Sequence, residues 1–167
     1  MRLYLVPVFC SALLILSCAT APTIPEAPEE PEPASMNFEL NGSRWLIDLP
    51  EARVSTKYGG VKLDWGDRTS TWVSYYEDGA GPIDLDNALS IMEELGEVEV
   101  LFQVERSGAL AYELVARTEG KVEGERLIDA PNEAGASVLC SFVMPEDASP
   151  AQWREALEVC RGLRPER

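Results

Sequence analysis

The chain has 167 residues, of which 29 are acidic, 14 are basic and none is histidine, and its formal net charge at pH 7 is −15. This negative charge argues against a nucleic-acid-binding protein, because phosphate recognition requires a basic face. The lack of histidine excludes catalytic schemes with an imidazole base and metal sites built on histidine. The sequence also lacks the G-x-S-x-G, G-x-x-x-x-G-K and G-x-G-x-x-G motifs.

Residues 1–17 have the pattern of an export signal. After a single arginine, the run 3–16 is almost wholly apolar. A membrane-spanning helix needs about 20 apolar residues, whereas the apolar core of a signal peptide needs roughly 7 to 15. The length of the run therefore predicts a signal peptide that is cleaved from the mature protein and takes Cys10 with it.

The end of this run, Ile15-Leu16-Ser17-Cys18, resembles the lipobox of bacterial lipoproteins. The resemblance implies cleavage after Ser17, a diacylglycerol attached through a thioether to Cys18, and N-acylation of the new terminus. It also implies a lipid-anchored protein of the bacterial cell envelope. Because Ala19 rather than aspartate follows the cysteine, we expect the outer membrane, with the protein facing the periplasm. The alternative is an ordinary secretory signal with an incidental cysteine.

Residues 18–35 predict an extended tether. This segment holds five prolines and four glutamates, with no lysine or arginine. Proline disfavours both helix and central strand, and the like charges repel one another. At about 3.1 Å per residue, such a spacer reaches roughly 50 Å, enough to hold a domain away from a membrane. The alternative is a disordered segment without a spacing role.

The remaining residues, 36–167, are long enough for one domain with its own core. They carry a net charge of −12, because residues 1–17 hold one arginine and residues 18–35 hold four glutamates. This charge fits a soluble domain, or one that meets a cationic partner or a divalent metal.

Two-residue periodicity predicts a series of strands at the start of this domain. Asn41-Gly42 is a favoured hairpin turn between strands with alternating apolar residues, and further strands continue to Tyr76. The pattern then changes to a helix with an apolar face of Leu85, Ala88, Leu89, Met92 and Leu95. Asp84 or Asp86 can cap this helix and Gly96 can end it.

Four more strands and a final helix complete the domain. The final helix begins with a capping-box pattern, Ser149-x-x-Gln152, and has Pro150 at its first position. Short turns between strands imply antiparallel pairing. We predict an α+β fold, a single domain with a largely antiparallel sheet and two helices packed on it. The element order and the closing phrase "GASVLCSF…W…AL…CRGL" loosely resemble the PsbP-like domains, without a motif that transfers a functional residue.

Cys140 and Cys160 are the two cysteines of the domain, and we predict a disulfide between them. An exported chain folds in an oxidising space, where an even number of cysteines indicates pairing. Cys140 lies on one face of an alternating strand, and Cys160 shares a helix face with Trp153 and Leu157. The alternatives are two buried free thiols or a metal-binding pair.

Three groups of residues are candidates for chemistry or binding. Carboxylates that bracket a glycine-rich loop are weak candidates for a cation site, with a solvated loop and a helix cap as the alternative: Glu77, Asp78, Asp84 and Asp86. Asp64 and Asp67 beside Trp65 suggest a glycosidase pair, or a turn beside a core residue. Four aromatic residues suggest a ligand groove or core packing: Trp45, Trp72, Tyr75 and Tyr76.

These features favour a membrane-anchored envelope lipoprotein that displays an acidic, non-enzymatic binding or accessory domain. Its expected partners are the membrane, through the lipid anchor, and an envelope protein. We expect no cofactor and no resident metal. One alternative is a metal-dependent or carboxylate-based hydrolase that uses the acidic loop. Another is a carrier of a small apolar ligand, which requires a cavity between sheet and helix.

Overall fold

The computed structural model describes residues 35–49, 51–57, 59–66, 69–77, 84–105, 107–130 and 135–166. All of them belong to one compact unit, residues 32–167. The strands are β1 (Met36–Leu40), β2 (Ser43–Ile47), β3 (Arg53–Lys57), β4 (Gly60–Trp65), β5 (Thr69–Tyr76), β6 (Glu99–Val104), β7 (Leu110–Thr118), β8 (Lys121–Asp129), β9 (Ser137–Pro145) and β10 (Arg164–Pro165). The helices are α1 (Leu85–Glu93) and α2 (Pro150–Arg161).

Two antiparallel sheets form the domain. Seven strands pair in the order β3-β4-β5-β9-β8-β7-β6, and a small sheet pairs in the order β1-β2-β10. The predicted Asn41-Gly42 turn joins β1 to β2, and Asn41 has a positive φ of 48° that this turn requires. The predicted α+β fold, a single domain with two helices on a largely antiparallel sheet, is confirmed.

Helix α1 packs on one face of the large sheet. Asp84 caps it by accepting a hydrogen bond from the backbone N–H of Asn87 at 2.9 Å, as the sequence predicts for one of two aspartates. Its buried residues join a core with strands β7, β8 and β9, and this core includes Leu114, Leu127 and Leu139. α1 is thus held by apolar contact with the middle of the large sheet.

The inclusion of Leu95 in the apolar face of α1 is wrong, because this side chain is 73% exposed. The helix ends at Glu93 and is capped by Glu94, before Leu95 can turn toward the sheet. The N–H of Leu95 bonds the carbonyl of Met92, and the N–H of Gly96 bonds that of Glu93. These tighter bonds turn the chain away from the helical path, and the periodic pattern does not show them.

Helix α2 packs on the opposite face of the large sheet. Along β9, Val138, Cys140 and Phe142 share one core with α2, whereas Leu139 faces α1. The predicted capping box is present, since Ser149 accepts from the Gln152 N–H and Gln152 accepts from the Ser149 N–H. The small sheet contributes its own apolar residues to this same core, so two elements cover that face together.

The predicted disulfide is confirmed between Cys140 on β9 and Cys160 on α2, with Cα atoms 5.5 Å apart. Both residues are at most 1% exposed. The bond ties the last turn of α2 to the centre of the large sheet. Neither α1 nor α2, the two helices within the described ranges, has the length and apolar character required to cross a bilayer.

Candidate functional site

The predicted lipidation site and tether lie outside the described residues. Cys18 and residues 18–34 are not covered, and Ser35 is the first residue with a described position. Its hydroxyl donates to the carboxylate of Asp48 at 2.8 Å and accepts from Arg164 at 3.2 Å. These bonds fix the point at which the chain enters the domain, next to the end of β2.

The acidic loop is only partly described, since Asp78 lies outside the described residues. Asp84 uses its carboxylate to cap α1, and Asp86 lies exposed in the first turn of the same helix. Glu77 is an exposed residue beyond the end of β5. Among the residues with described positions, no three carboxylate or thiol groups approach closely enough to hold a metal ion.

Asp64 on β4 is held between two donors. Lys62 Nζ lies 2.7 Å from its Oδ1, and the Ser70 hydroxyl donates to the same oxygen at 2.6 Å. The hydrogen bonds from Lys62 and Ser70 hold the pKa of this carboxyl below its usual value. A glycosidase acid needs the opposite shift. Its proposed partner Asp67 lies outside the described residues, and Trp65 Nε1 donates to Thr71 at 2.8 Å within the sheet.

The four aromatic candidates separate into two environments. Trp45 is 2% exposed and belongs to the core, so packing is its role. Tyr75 and Tyr76 line an open groove of about 490 Å³ beside Gly59 and Gly60. Trp72 lies so close to Gly60 that a Cβ there would be 2.6 Å from its Nε1. Both tyrosines line this groove, but Tyr75 also packs against the core that contains Trp45, whereas Tyr76 packs against the core on the α1 side of the sheet.

A second groove, of about 660 Å³, lies between the end of β2 and helix α2, and we call it the β2–α2 groove. Apolar lining comes from Leu49, Trp65 and Val159. Four carboxylates lie around this lining: Asp48, Glu51, Glu155 and Glu158. The combination of an apolar lining and an acidic rim is the arrangement that recognises an amphipathic, positively charged group.

Asp48 is ionised although it is partly buried. Burial favours its neutral form, but hydrogen bonds from Arg164 and Ser35 outweigh this effect and lower its pKa. Arg164 Nη1 lies 2.7 Å from Asp48 Oδ1. The same network that fixes the chain entry at Ser35 therefore fixes one acidic side of the groove.

Arg161, a basic residue among the described lining of the groove, is paired with acidic side chains. Its Nε and Nη2 donate to the two oxygens of Glu113 at 3.0 and 2.6 Å, and its Nη1 donates to Glu158 at 2.6 Å. Glu113 is only 4% exposed and also accepts from Arg126 Nε at 3.1 Å. These bonds, chiefly those to Glu113, raise the pKa of Arg161. Glu113, Arg126 and Arg161, here called the Glu113 cluster, fix the end of α2, and their bonds leave the guanidinium of Arg161 paired.

Sequence reasoning missed the β2–α2 groove because its lining residues come from three distant parts of the chain, namely the end of β2 with Glu51, the end of β4, and helix α2 with its cap Gly162. The nearest signal was the pair of glutamates at i and i+3 on the exposed face of the last helix, Glu155 and Glu158. Such a pair is typical of any solvated helix face. The Glu113 cluster was also missed, because a glutamate between the apolar residues of β7 gives no sign of its partners on β8 and α2.

The described features define a single-domain α+β protein with an acidic surface groove. No protein-family model matches the chain, and no curated protein matches it. Its fold is similar to that of the Saccharomyces cerevisiae Ran-binding protein Mog1p, with a TM-score of 0.53 and 15% sequence identity. The similarity covers 78% of this chain and 94% of Mog1p. At this identity it shows a shared fold and no more.

Proposed function

We propose that the chain is a lipid-anchored protein of the bacterial envelope whose acidic, non-enzymatic domain binds another envelope protein. The observation that carries the proposal is the order of segments: Ile15-Leu16-Ser17-Cys18, then a segment rich in proline and glutamate, then one domain. A lipid at Cys18 holds the chain at the membrane, because each buried methylene contributes about 0.8 kcal/mol. The proposed location is the outer membrane, facing the periplasm, since Ala19 follows the cysteine.

The domain's described polar groups support a binding role over catalysis. Asp84 serves as a helix cap, and Asp64 is held by Lys62 and Ser70. These two carboxylates therefore have structural partners of their own. The β2–α2 groove, in contrast, offers apolar surface and carboxylates to the solvent. Mog1p, which has a similar fold, is a Ran-binding protein, so a fold of this kind is compatible with protein binding.

The anchor is tested by Cys18→Ser in cells. The hydroxyl is a far weaker nucleophile than the thiolate, so the variant is expected to remain an unlipidated and uncleaved precursor. The measurements are gel mobility, metabolic labelling with palmitate and partition into detergent. Cys10→Ser is the matched control, because this cysteine lies within the predicted signal and its loss should leave processing intact. Normal cleavage and membrane partition of Cys18→Ser would show that the lipoprotein assignment is wrong.

A further inference from the structure

The β2–α2 groove has apolar side chains in its lining, and Arg161, a basic residue among its described lining residues, is already paired with Glu113 and Glu158. Trp65 is half-buried and supplies most of the accessible apolar lining, since Leu49 and Val159 are only 3% and 8% exposed, and the Nε1 of Trp65 already donates to Thr71. An apolar side chain that enters the groove would therefore contact carbon surface without leaving a polar group unpaired. This apolar contact would add to the binding free energy beyond the attraction between opposite charges.

The rim of the groove is negative. Asp48 is balanced by Arg164, and Glu158 shares Arg161 with Glu113. Glu51 and Glu155 are both exposed, and within the described residues no basic side chain forms an ion pair with either. These two carboxylates, from opposite elements of the groove, are available to positive groups of a partner.

The chain enters the domain at this rim. Ser35 bonds Asp48, which lines the groove. The 17 residues that directly precede Ser35 in the mature chain carry four glutamates and no basic residue. The carboxylates of the rim, Asp48 among them, favour a cationic partner at this surface.

We propose that the β2–α2 groove is the docking site for a basic segment of a partner protein. An aliphatic or aromatic side chain of this segment lies on Leu49, Trp65 and Val159. Flanking lysine or arginine side chains pair with Glu51 and Glu155. The inference rests on the proposed function, that the domain binds an envelope protein, and it identifies the surface and the chemistry of the partner.

Charge complementarity excludes the other occupants. The chain's own residues 18–34 are acidic, and a second copy of the domain carries −12. Anionic lipid headgroups are also negative. Each of these would bring negative charge to the negative rim, and contact between like charges weakens binding. A groove of about 660 Å³ accepts a few side chains, which fits a short anchoring segment within a larger contact.

The surface is tested with a photo-crosslinking amino acid in the full-length protein in its native cells. It is placed at Glu51 or Glu155 in the groove, and at Glu93 or Glu119 as exposed control positions. Crosslinked peptides are sequenced by mass spectrometry. We expect products from the groove positions only, joined to a protein segment in which lysine or arginine flanks an apolar residue.

Protein crosslinks from the control positions alone would overturn the groove as the docking site and leave the proposed binding function standing. Crosslinks to lipid or to a second copy at the groove would also overturn it, and the absence of protein crosslinks at all four positions would contradict both proposals.

The chemistry is tested with the purified full-length protein in detergent and a synthetic peptide, acetyl-Gly-Lys-Lys-Leu-Phe-Lys-Lys-Gly-amide. Glu51→Lys with Glu155→Lys is expected to weaken binding at least tenfold. Glu93→Lys with Glu94→Lys changes the net charge equally but lies at the C-terminal end of α1, and is expected to weaken binding less than threefold. A peptide with serine in place of leucine and phenylalanine should also bind at least tenfold more weakly. Equal losses in the two double variants, or no loss with the serine peptide, would show general charge attraction and overturn the proposal.

Discussion

Glu125 on β8 is a carboxyl group that the fold partly removes from water. It lies on the same face of the large sheet as Leu127, the face on which α1 packs, and it accepts a hydrogen bond from the Tyr112 hydroxyl at 2.9 Å. Burial raises its pKa, the bond from Tyr112 opposes this effect, and the nearby charge of Glu123 adds to it. The ionised form of Glu125 is therefore less favourable in the folded protein than in the unfolded chain.

The sign of this shift predicts how stability depends on pH. Because the folded pKa of Glu125 is raised, its contribution to stability is fully present below the unfolded pKa and is lost as pH rises through the folded pKa. The Glu125→Gln variant has no carboxyl group to ionise, so it does not lose this stability as pH rises. Its amide oxygen can still accept the hydrogen bond from the Tyr112 hydroxyl. We expect the variant to melt at a higher temperature than the wild type at pH 7, with the difference shrinking toward pH 4.

Calorimetry at several pH values measures this effect, with exposed Glu93→Gln on α1 as the control. The control removes one carboxylate of the same type without removing a buried charge. If Glu125→Gln were instead less stable at pH 7, the bond between Tyr112 and the ionised carboxylate would outweigh the cost of burial. The same comparison would then assign Glu125 a stabilising role.

At the scale of elements, the disulfide joins β9 to α2 and so closes the α2 side of the core. Cys140 and Cys160 are 20 residues apart in sequence, and a loop of this size contributes about 3 kcal/mol of stability when it is closed. We expect reductant to lower the melting temperature of the full chain by on the order of 10 °C. Scanning calorimetry with and without dithiothreitol measures the shift.

The matched control for the disulfide is the double variant Cys140→Ala, Cys160→Ala, whose melting temperature should not respond to reductant. The fold should survive in both cases, because Trp153 and Leu157 keep α2 on the same core. Two titratable thiols in the unreduced wild-type protein would contradict the pairing. The cysteines would then act as buried packing residues.

The periodicity of apolar residues predicted those elements in which the pattern within the segment itself shows which side is buried. Alternation in β9 and the face of Trp153, Leu157 and Cys160 in α2 both report which side meets the core, and from them the disulfide could be inferred. The strand β10 could not be inferred, because Arg164 and Pro165 pair with β2 over two residues and leave no pattern. The division into two sheets is likewise a product of long-range pairing.

The candidate site depends even more on contacts between residues far apart in the sequence, which the sequence pattern does not show. A helix cap at Asp84 or Asp86 was predicted from their position at the start of an apolar-periodic segment, which is a local relation, and Asp84 is the cap. The β2–α2 groove requires Asp48, Glu51 and Glu155 to meet across more than 100 residues of sequence. Its acidic character was visible only as the net charge of the domain. Charge in the sequence thus indicated an acidic surface, while only the fold shows which carboxylates lie together around one groove.

At the scale of the whole molecule, repulsion among the excess negative charges destabilises the folded state, whereas exposed and buried ion pairs stabilise it. The domain carries −12, and this charge repels itself in the folded state more than in the expanded chain. Exposed pairs such as Arg44 with Glu166 contribute only about 0 to 1 kcal/mol each. The Glu113 cluster is buried, so salt screens it much less than the surface charges. Net repulsion is therefore the electrostatic effect that salt changes most.

We expect sodium chloride to stabilise the protein. Raising it from about 10 mM to about 150 mM shortens the screening distance from about 30 Å to about 8 Å, which weakens repulsion between distant carboxylates. The melting temperature should rise over this range at pH 7. Glu93→Lys with Glu94→Lys reduces the domain charge to −8 without touching the core, so its rise should be smaller. A melting temperature that falls with salt would mean that the exposed ion pairs, such as those of Arg44 and Arg164, outweigh the repulsion.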